Sequence, residues 1–337
     1  MGVFLIAAVL GAGSWGTTLA LLLAGRGDDV RLWEFRPEAV HRMQTDRENL
    51  EFLPGHAFPP QLEATADLEA AVADAGLCIL ATPSHAMRSV AAGIIKPLPS
   101  DCLVVSAAKG LEEGSLMRMS EVVSETWRSW FDPDRFVALS GPSHAEEVVL
   151  GLPTSVVAAS TSIESAHAVQ RMMSTDRFRI YAHTDIIGVE LGGALKNVIA
   201  LAAGISAGLG FGDNTMGAIL TRGLAEISRL GQKLGGQPQT FAGLSGMGDL
   251  ITTCCSRHSR NRYVGEQLGQ GRKLKDILAG MIMVAEGVRT TSSAWILAQR
   301  EGAEMPITEQ VNRILYQDVD PRQATMELMT RRLKIED

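Results

Sequence analysis

Apolar residues in the first half of the chain come in short β-branched runs, separated by longer stretches with helical spacing. Val3 to Leu10, Val30 to Glu34, Leu77 to Ala81, Leu103 to Ser106, Phe136 to Leu139, Ser155 to Ala159 and Phe178 to Tyr181 read as strands. Between them lie helical runs such as Trp15 to Gly25 and Ser115 to Trp127, the first closed by a glycine suited to a left-handed cap. Strands alternating with helices predict an α/β fold, a doubly wound parallel sheet with helices on both faces. From Asp185 onward the strand-like runs vanish and 3.6-residue apolar spacing takes over. Helices are predicted over Asp185 to Ser206, Met216 to Leu234, Arg262 to Leu268, Thr290 to Glu301, Ile307 to Tyr316 and Pro321 to Leu333. The expected organisation is a sheet domain over residues 1–185 and an all-α domain over 186–337.

Composition changes this picture little. At about 150 residues per domain, a chain of 337 residues accommodates two. Hydrophobic residues make up 46% and charged residues 20%, as in an ordinary globular protein. A net charge of −7 gives no global field that would draw nucleic acid or an anionic membrane, so a phosphate ligand needs a local basic cluster. The apolar opening Gly2 to Leu10 lacks a basic n-region and runs into a glycine turn, so it reads as a buried strand rather than a signal peptide. No window holds the roughly 18 uninterrupted apolar residues of a spanning helix. A cytoplasmic protein without membrane insertion is expected. Cys78, Cys102, Cys254 and Cys255 have neither CxxC nor metal-ligand spacing, which predicts reduced thiols and no metal site.

The first chemistry-bearing motif is Gly11-Ala12-Gly13-Ser14-Trp15-Gly16, a GxGxxG placed after an apolar strand and before a helix. Glycine permits the tight turn and close backbone approach to a pyrophosphate, and the helix N-terminus supplies amides to the anion. This context predicts a Rossmann-type dinucleotide site. The ribose is expected at the end of the second predicted strand, where Glu34 favours the 2′-hydroxyl of NAD and Arg36 the 2′-phosphate of NADP. The two cues conflict, and a solvated strand end is the bland alternative. Lys109 follows a further strand and sits at the mouth of the expected crevice, as either a ligand contact or a plain surface lysine. His144, in the loop Ser140 to Glu146, reads as an acid, a base or an incidental loop histidine.

Hydride transfer between an alcohol and a ketone needs a group that exchanges the hydroxyl proton. Lys196 and Asn197 interrupt a helix of small and apolar residues, so Lys196 is either a desolvated base with lowered pKa or a snorkelling lysine. Asp249 sits in the glycine-rich turn Gly246 to Leu250. Ser256 to Arg262 packs three arginines, two serines and an asparagine into seven residues, either a phosphate clamp or a solvated helix start. Glu286 reads as a helix cap or a ligand contact. A phosphate-bearing substrate becomes the working hypothesis.

Longer strings extend these motifs over nearly the whole chain. They are GAGSWGTTLA (11–20), NLEFLPG (49–55), AAKGLE (107–112), SGPSHAEE (140–147), ELGGALKNVIALAAG (190–204), GFGDN (210–214), ILTRGLAE (219–226), TFAGLSGMGDLITTC (240–254), SRNR (259–262), VAEGV (284–288) and MPI (305–307). Together they resemble bacterial NAD(P)-dependent glycerol-3-phosphate dehydrogenase. The resemblance implies a Rossmann domain followed by a helical domain like that of 6-phosphogluconate dehydrogenase, with the site between them. It implies Lys196 as the proton acceptor and donor, with Asp249 beside it. Lys109, Gly141, Ser143, Lys196, Asp249, Ser259, Arg260 and Asn261 would contact substrate, Arg260 clamping its phosphate. Gly11, Gly13, Ser14, Trp15, Gly16, Phe35, Arg36, Lys109, Ala145, Arg260, Val284 and Glu286 would line the dinucleotide, NAD(P)H. A homodimer supplying glycerol 3-phosphate for phospholipid synthesis is also implied. The sequence departs from the family where Glu34 and Phe35 precede Arg36 after the second-strand tryptophan, and where Met216 replaces a common basic residue. Two rivals are a similar dehydrogenase of hydroxy acids, with Arg260 on a carboxylate, and a dinucleotide sensor without turnover.

Overall fold

The computed structural model describes residues 5–281, 283–333 and 335. Eight strands form one sheet in the order β3-β2-β1-β4-β5-β6-β7-β8. They are β1 (Ile6–Leu10), β2 (Asp29–Trp33), β3 (Leu62–Thr65), β4 (Leu77–Leu80), β5 (Leu103–Ser106), β6 (Phe136–Ser140), β7 (Thr154–Ala159) and β8 (Phe178–His183). The first predicted strand begins only at Ile6, and Val3 and Phe4 lie outside the described residues. β3 was not predicted: it is a four-residue edge strand, LEAT, with Glu63 exposed between its two buried residues, so its apolar signal is too short to read. Ala7 to Leu10 and Leu77 to Leu80 are fully buried, as central strands covered on both faces must be.

The sheet is not wholly parallel, because β7 runs antiparallel to β6. The helix between them, Ala145–Val149, has five residues and rises only about 7.5 Å. That is too short to carry the chain back past a strand of roughly 16 Å, so β7 starts near the end of β6. On one face, helices Ser14–Gly25 and Ile163–Met173 cover the sheet through Leu19, Leu23, Val169 and Met173. On the other, helices Met87–Ile94 and Met119–Trp127 do so through Met87, Val90, Ile94, Val122 and Val123. The second of these starts four residues later than predicted. Residues 112–117 fold into a turn instead, with Leu116 at φ +64° and the Glu112 amide bonded to the Met117 carbonyl.

After β8 the described residues hold helices and turns without strands. The core of this half is the helix Ile186–Gly208, buried at most of its positions. Its length and mean hydropathy of 1.6 would suit a membrane span, but 78% of that stretch is buried inside the protein, which makes it a core helix. Helix Arg260–Gly269 lies against it at very close range. A β-carbon on Gly204 would sit 2.0 Å from the Arg262 carbonyl oxygen, and one on Gly265 2.1 Å from that of Leu201. Only glycine allows the two backbones this approach. The last helix ends at Met329, short of the predicted Leu333, which is 93% exposed and has nothing to pack on.

Candidate active site

The loops after β5 and β6 face the long helix and Asp249, and the glycine turn after β1 lies at the same C-terminal edge of the sheet. In the glycine turn, Gly11 has φ +114°, and a β-carbon there would meet the Ala81 carbonyl oxygen at 2.8 Å. A β-carbon on Gly16 would stand 1.9 Å from the Gly11 carbonyl oxygen, so turn and helix can close only as glycines. Around Gly13 the space is open, and no side chain caps helix Ser14–Gly25. Among the described residues nothing accepts from the Ser14, Trp15 and Gly16 amides, which the helix itself leaves unpaired, and this arrangement fits a dinucleotide pyrophosphate. Asn49 pins the turn from behind: its Nδ2 donates to the Ala12 carbonyl oxygen and to Thr17 Oγ1, each at 2.8 Å. Ser14 Oγ donates to Met283 Sδ at 3.2 Å, and Trp15 packs against Phe178 with ring centroids 6.4 Å apart.

At the end of β2, Glu34 is buried and bound by Arg36, while Phe35 is 69% exposed beside them. The Glu51 and Glu34 carboxylates, in that order, hold the Arg36 pKa above its ordinary value.

The densest chemistry lies across the crevice. Asp249 is buried, and its carboxylate accepts from two ammonium groups. Lys109 Nζ donates to Oδ2 at 2.7 Å and to the Gly141 carbonyl oxygen at 3.0 Å, and Lys196 Nζ donates to Oδ1 and, at 2.7 Å, to Thr253 Oγ1. Local backbone explains the convergence. Asp249 begins helix Asp249–Cys255 directly after a π-turn, Leu244–Gly248, a widened turn of the kind found at functional sites. One turn before Lys196, a β-carbon on Gly192 would lie 2.7 Å from the Ser245 carbonyl oxygen, and one on Gly193 2.5 Å from Ser140 Oγ. Those two glycines let the Asp249 turn and the end of β6 press against the helix that carries Lys196.

Burial pulls the Lys196 pKa down to about 7, against the attraction of Asp249 and with the repulsion of Lys109. Desolvation alone would raise Asp249, but Lys109 and Lys196 outweigh it and keep the carboxyl below its ordinary value. Desolvation, then the nearby Lys196 charge, lowers His144 as well. This histidine stands 6.0 Å from the His258 ring and 3.5 Å from the Thr252 carbonyl oxygen.

The remaining predicted residues divide by what already holds them. Ser259 caps its helix, accepting from the Arg262 amide. Asn261 donates to Asn197 Oδ1 and accepts from the Gly287 amide, both at 2.9 Å. Ser143 Oγ donates to the Gly141 carbonyl oxygen at 3.0 Å, and Glu286 is bound by the Ser84 amide and hydroxyl. Ala145 is buried, and Val284 is 38% exposed. Arg260 is different: no hydrogen bond or ion pair joins its side chain to a described residue. The guanidinium reaches water but is crowded by protein, so desolvation lowers its pKa while Glu286 and Glu146 act the other way. A free, partly desolvated guanidinium at a helix N-terminus suits an anion. Three partners escaped the sequence reading: Thr253 on Lys196, Ser84 on Glu286 and Asn49 on the turn. Asn49 and Thr253 both stand inside strings that carry the family resemblance. Among the described residues no cluster of His, Cys, Asp and Glu suits a metal, and all four cysteines are free.

The N-terminal domain of NAD-dependent glycerol-3-phosphate dehydrogenase matches residues 6–166, and its C-terminal domain matches residues 185–326. A Chlorobium luteolum protein named as an NAD(P)+ glycerol-3-phosphate dehydrogenase is 52% identical over 329 residues, 98% of each chain. One of the same name from Geobacter sulfurreducens is 54% identical over 331 residues, 97% of this chain and 98% of its own. The crystal structure of a glycerol-3-phosphate dehydrogenase from Coxiella burnetii superposes with a TM-score of 0.93 at 40% identity, covering 97% of this chain and 99% of that one. The chain belongs to the NAD-dependent glycerol-3-phosphate dehydrogenase family.

Proposed function

We propose that this protein interconverts glycerol 3-phosphate and dihydroxyacetone phosphate with NAD(P) as hydride partner. One observation carries the mechanism: a buried lysine with a pKa near 7, Lys196, held on a carboxylate that a second lysine also binds. Neutral Lys196 takes the proton of the substrate C2 hydroxyl during oxidation, and its ammonium form returns that proton to the carbonyl oxygen during reduction. When bound, the nicotinamide supplies or accepts the hydride. Asp249 and Thr253 orient Lys196, and the Lys109 ammonium keeps Asp249 ionised. Arg260 takes the substrate phosphate, which supplies the anion its guanidinium lacks. Gly141, Ser143, Ser259 and Asn261 shape the substrate side. The glycine turn, Phe35, Arg36, Ala145, Val284 and Glu286 shape the dinucleotide side.

In this reading the chain divides near residue 185 into a dinucleotide-binding and a substrate-binding part. The family resemblance supports three further elements: a homodimer, a cytoplasmic location, and supply of glycerol 3-phosphate to phospholipid synthesis. The test is the initial rate of NADH and NADPH oxidation with dihydroxyacetone phosphate and with 2-keto acids. Turnover confined to the phosphate substrate is the expected result. Turnover with keto acids alone would move the protein to the hydroxy-acid dehydrogenases, and binding without any turnover would make it a sensor.

A further inference from the structure

The end of β2 holds a charge cluster that the reaction itself does not use. Glu34 is 5% exposed, and its Oε1 accepts from Arg36 Nε at 2.7 Å and from the Arg36 amide at 3.3 Å. Its Oε2 accepts from no described residue. The same guanidinium donates through Nη1 to Glu51 Oε1 at 2.9 Å, and the other Glu51 oxygen accepts from Arg42 Nη2 at 3.2 Å. Phe35 and Phe52 flank Arg36, each ring centroid 5.6 Å away. Glu34, Arg36, Arg42 and Glu51 border one concavity with Ala12 of the glycine turn.

We infer that this cluster selects NAD(H) over NADP(H), and that Glu51 sets the preference by holding Arg36 against a 2′-phosphate. The inference rests on the dinucleotide reading above. An adenosine ribose with free hydroxyls offers donors to the unused oxygen of Glu34. A 2′-phosphate offers no such donor and brings a charge of about −1.5 to −2. Arg36, the cation that would receive it, already serves two carboxylates. Taking Arg36 away would leave Glu34 buried, unpaired and facing a like charge, which is costly. Arg36 is therefore a latent phosphate ligand, and Glu51 is a positioning residue that keeps it occupied.

The experiment is equilibrium titration of the purified protein with NADH and with NADPH, followed by quenching of its tryptophan fluorescence, with thermal melting to verify that each variant folds. Wild type is expected to bind NADH at least about tenfold more tightly than NADPH. Glu51→Gln frees Arg36 and narrows that ratio about tenfold. Arg42→Gln removes the competing cation from Glu51, tightens its hold on Arg36 and widens the ratio. The opposite directions of these two shifts separate charge selection from a merely structural role. NADPH binding as tight as NADH in wild type, or a ratio unmoved by both substitutions, would overturn the inference while leaving the dinucleotide reading intact. If neither dinucleotide binds, the dinucleotide reading falls and the inference with it.

Discussion

Three side chains carry the proposed chemistry, and each has its own expected signature. Lys196→Ala removes the proton-transfer group, so kcat should fall about 10²- to 10⁴-fold with the melting temperature nearly kept, since a neutralised buried cation leaves an Asp249 still bound by Lys109. Asp249→Asn acts through charge. It removes the attraction that holds the Lys196 pKa up, so that pKa must drop further below about 7. The ammonium form then becomes scarce at neutral pH, and the pH profile of carbonyl reduction should shift toward acid. An unshifted profile would show that Asp249 does not govern Lys196. Arg260→Ala should raise KM for dihydroxyacetone phosphate by about 10²-fold or more, the cost of losing a charge-assisted phosphate contact. The counterpart test is a substrate without phosphate, for which wild type and variant should be equally poor. Lys196 and Asp249 were legible in the sequence because a lysine among small apolar residues and a carboxylate among glycines are both out of place. Their contact was not legible, because it joins positions 53 apart through a π-turn that leaves no periodic trace.

At the scale of elements, the close contact of helices Ile186–Gly208 and Arg260–Gly269 positions Arg260. Gly204→Ala would drive a methyl group into the Arg262 carbonyl, so the helices must separate. The expected cost is about 1–3 kcal/mol or more, read as a lower urea midpoint, accompanied by a raised KM for the phosphate substrate. A stability loss with KM unchanged would show that the helix contact does not place Arg260. Glu226 makes a second element-level case. Its buried carboxyl accepts from the Ile307 and Thr308 amides and the Thr308 hydroxyl, capping helix Pro306–Tyr316. Burial, outweighing those hydrogen bonds, raises its pKa from 4.5 to about 7. A group whose pKa is higher in the folded state favours the fold fully below its unfolded pKa, and that contribution is lost as pH rises through the folded one. The Glu226 contribution is thus whole below pH 4.5 and gone above about pH 7. Glu226→Gln imitates the protonated acid and does not titrate, so urea midpoints of wild type and variant should lie close together at about pH 5 and separate at about pH 7.5, with the variant the more stable there; a constant difference would contradict the assignment. Element types followed from apolar spacing alone, since every predicted strand and helix overlaps one in the structure. What spacing missed was β3, too short and half-exposed, the short helices Pro238–Ala242, Asp249–Cys255 and Leu274–Ala279, at five to seven residues too brief to show a 3.6-residue period, and the reversal of β7, which depends on how far a five-residue helix can reach.

For the whole molecule, the sequence predicted a sheet half and a helical half, and the structure has both. The point where they meet became legible only through family strings, because no local pattern says which loop faces which helix. That meeting gives the enzyme its logic: the glycine turn, Lys109 and Gly141 come from the sheet half, and Lys196, Asp249 and Arg260 come from the helices. The central claim is that Lys196 exchanges the substrate proton. Its most direct test is the pH dependence of the initial rate in both directions, glycerol 3-phosphate oxidation and dihydroxyacetone phosphate reduction, on wild type and Lys196→Ala. Oxidation needs the neutral amine, so its rate should rise as pH increases through about 7, and reduction needs the ammonium, so its rate should fall over the same range. Both limbs should vanish in Lys196→Ala. Limbs that persist at the same pH in the variant would show that another group carries the proton.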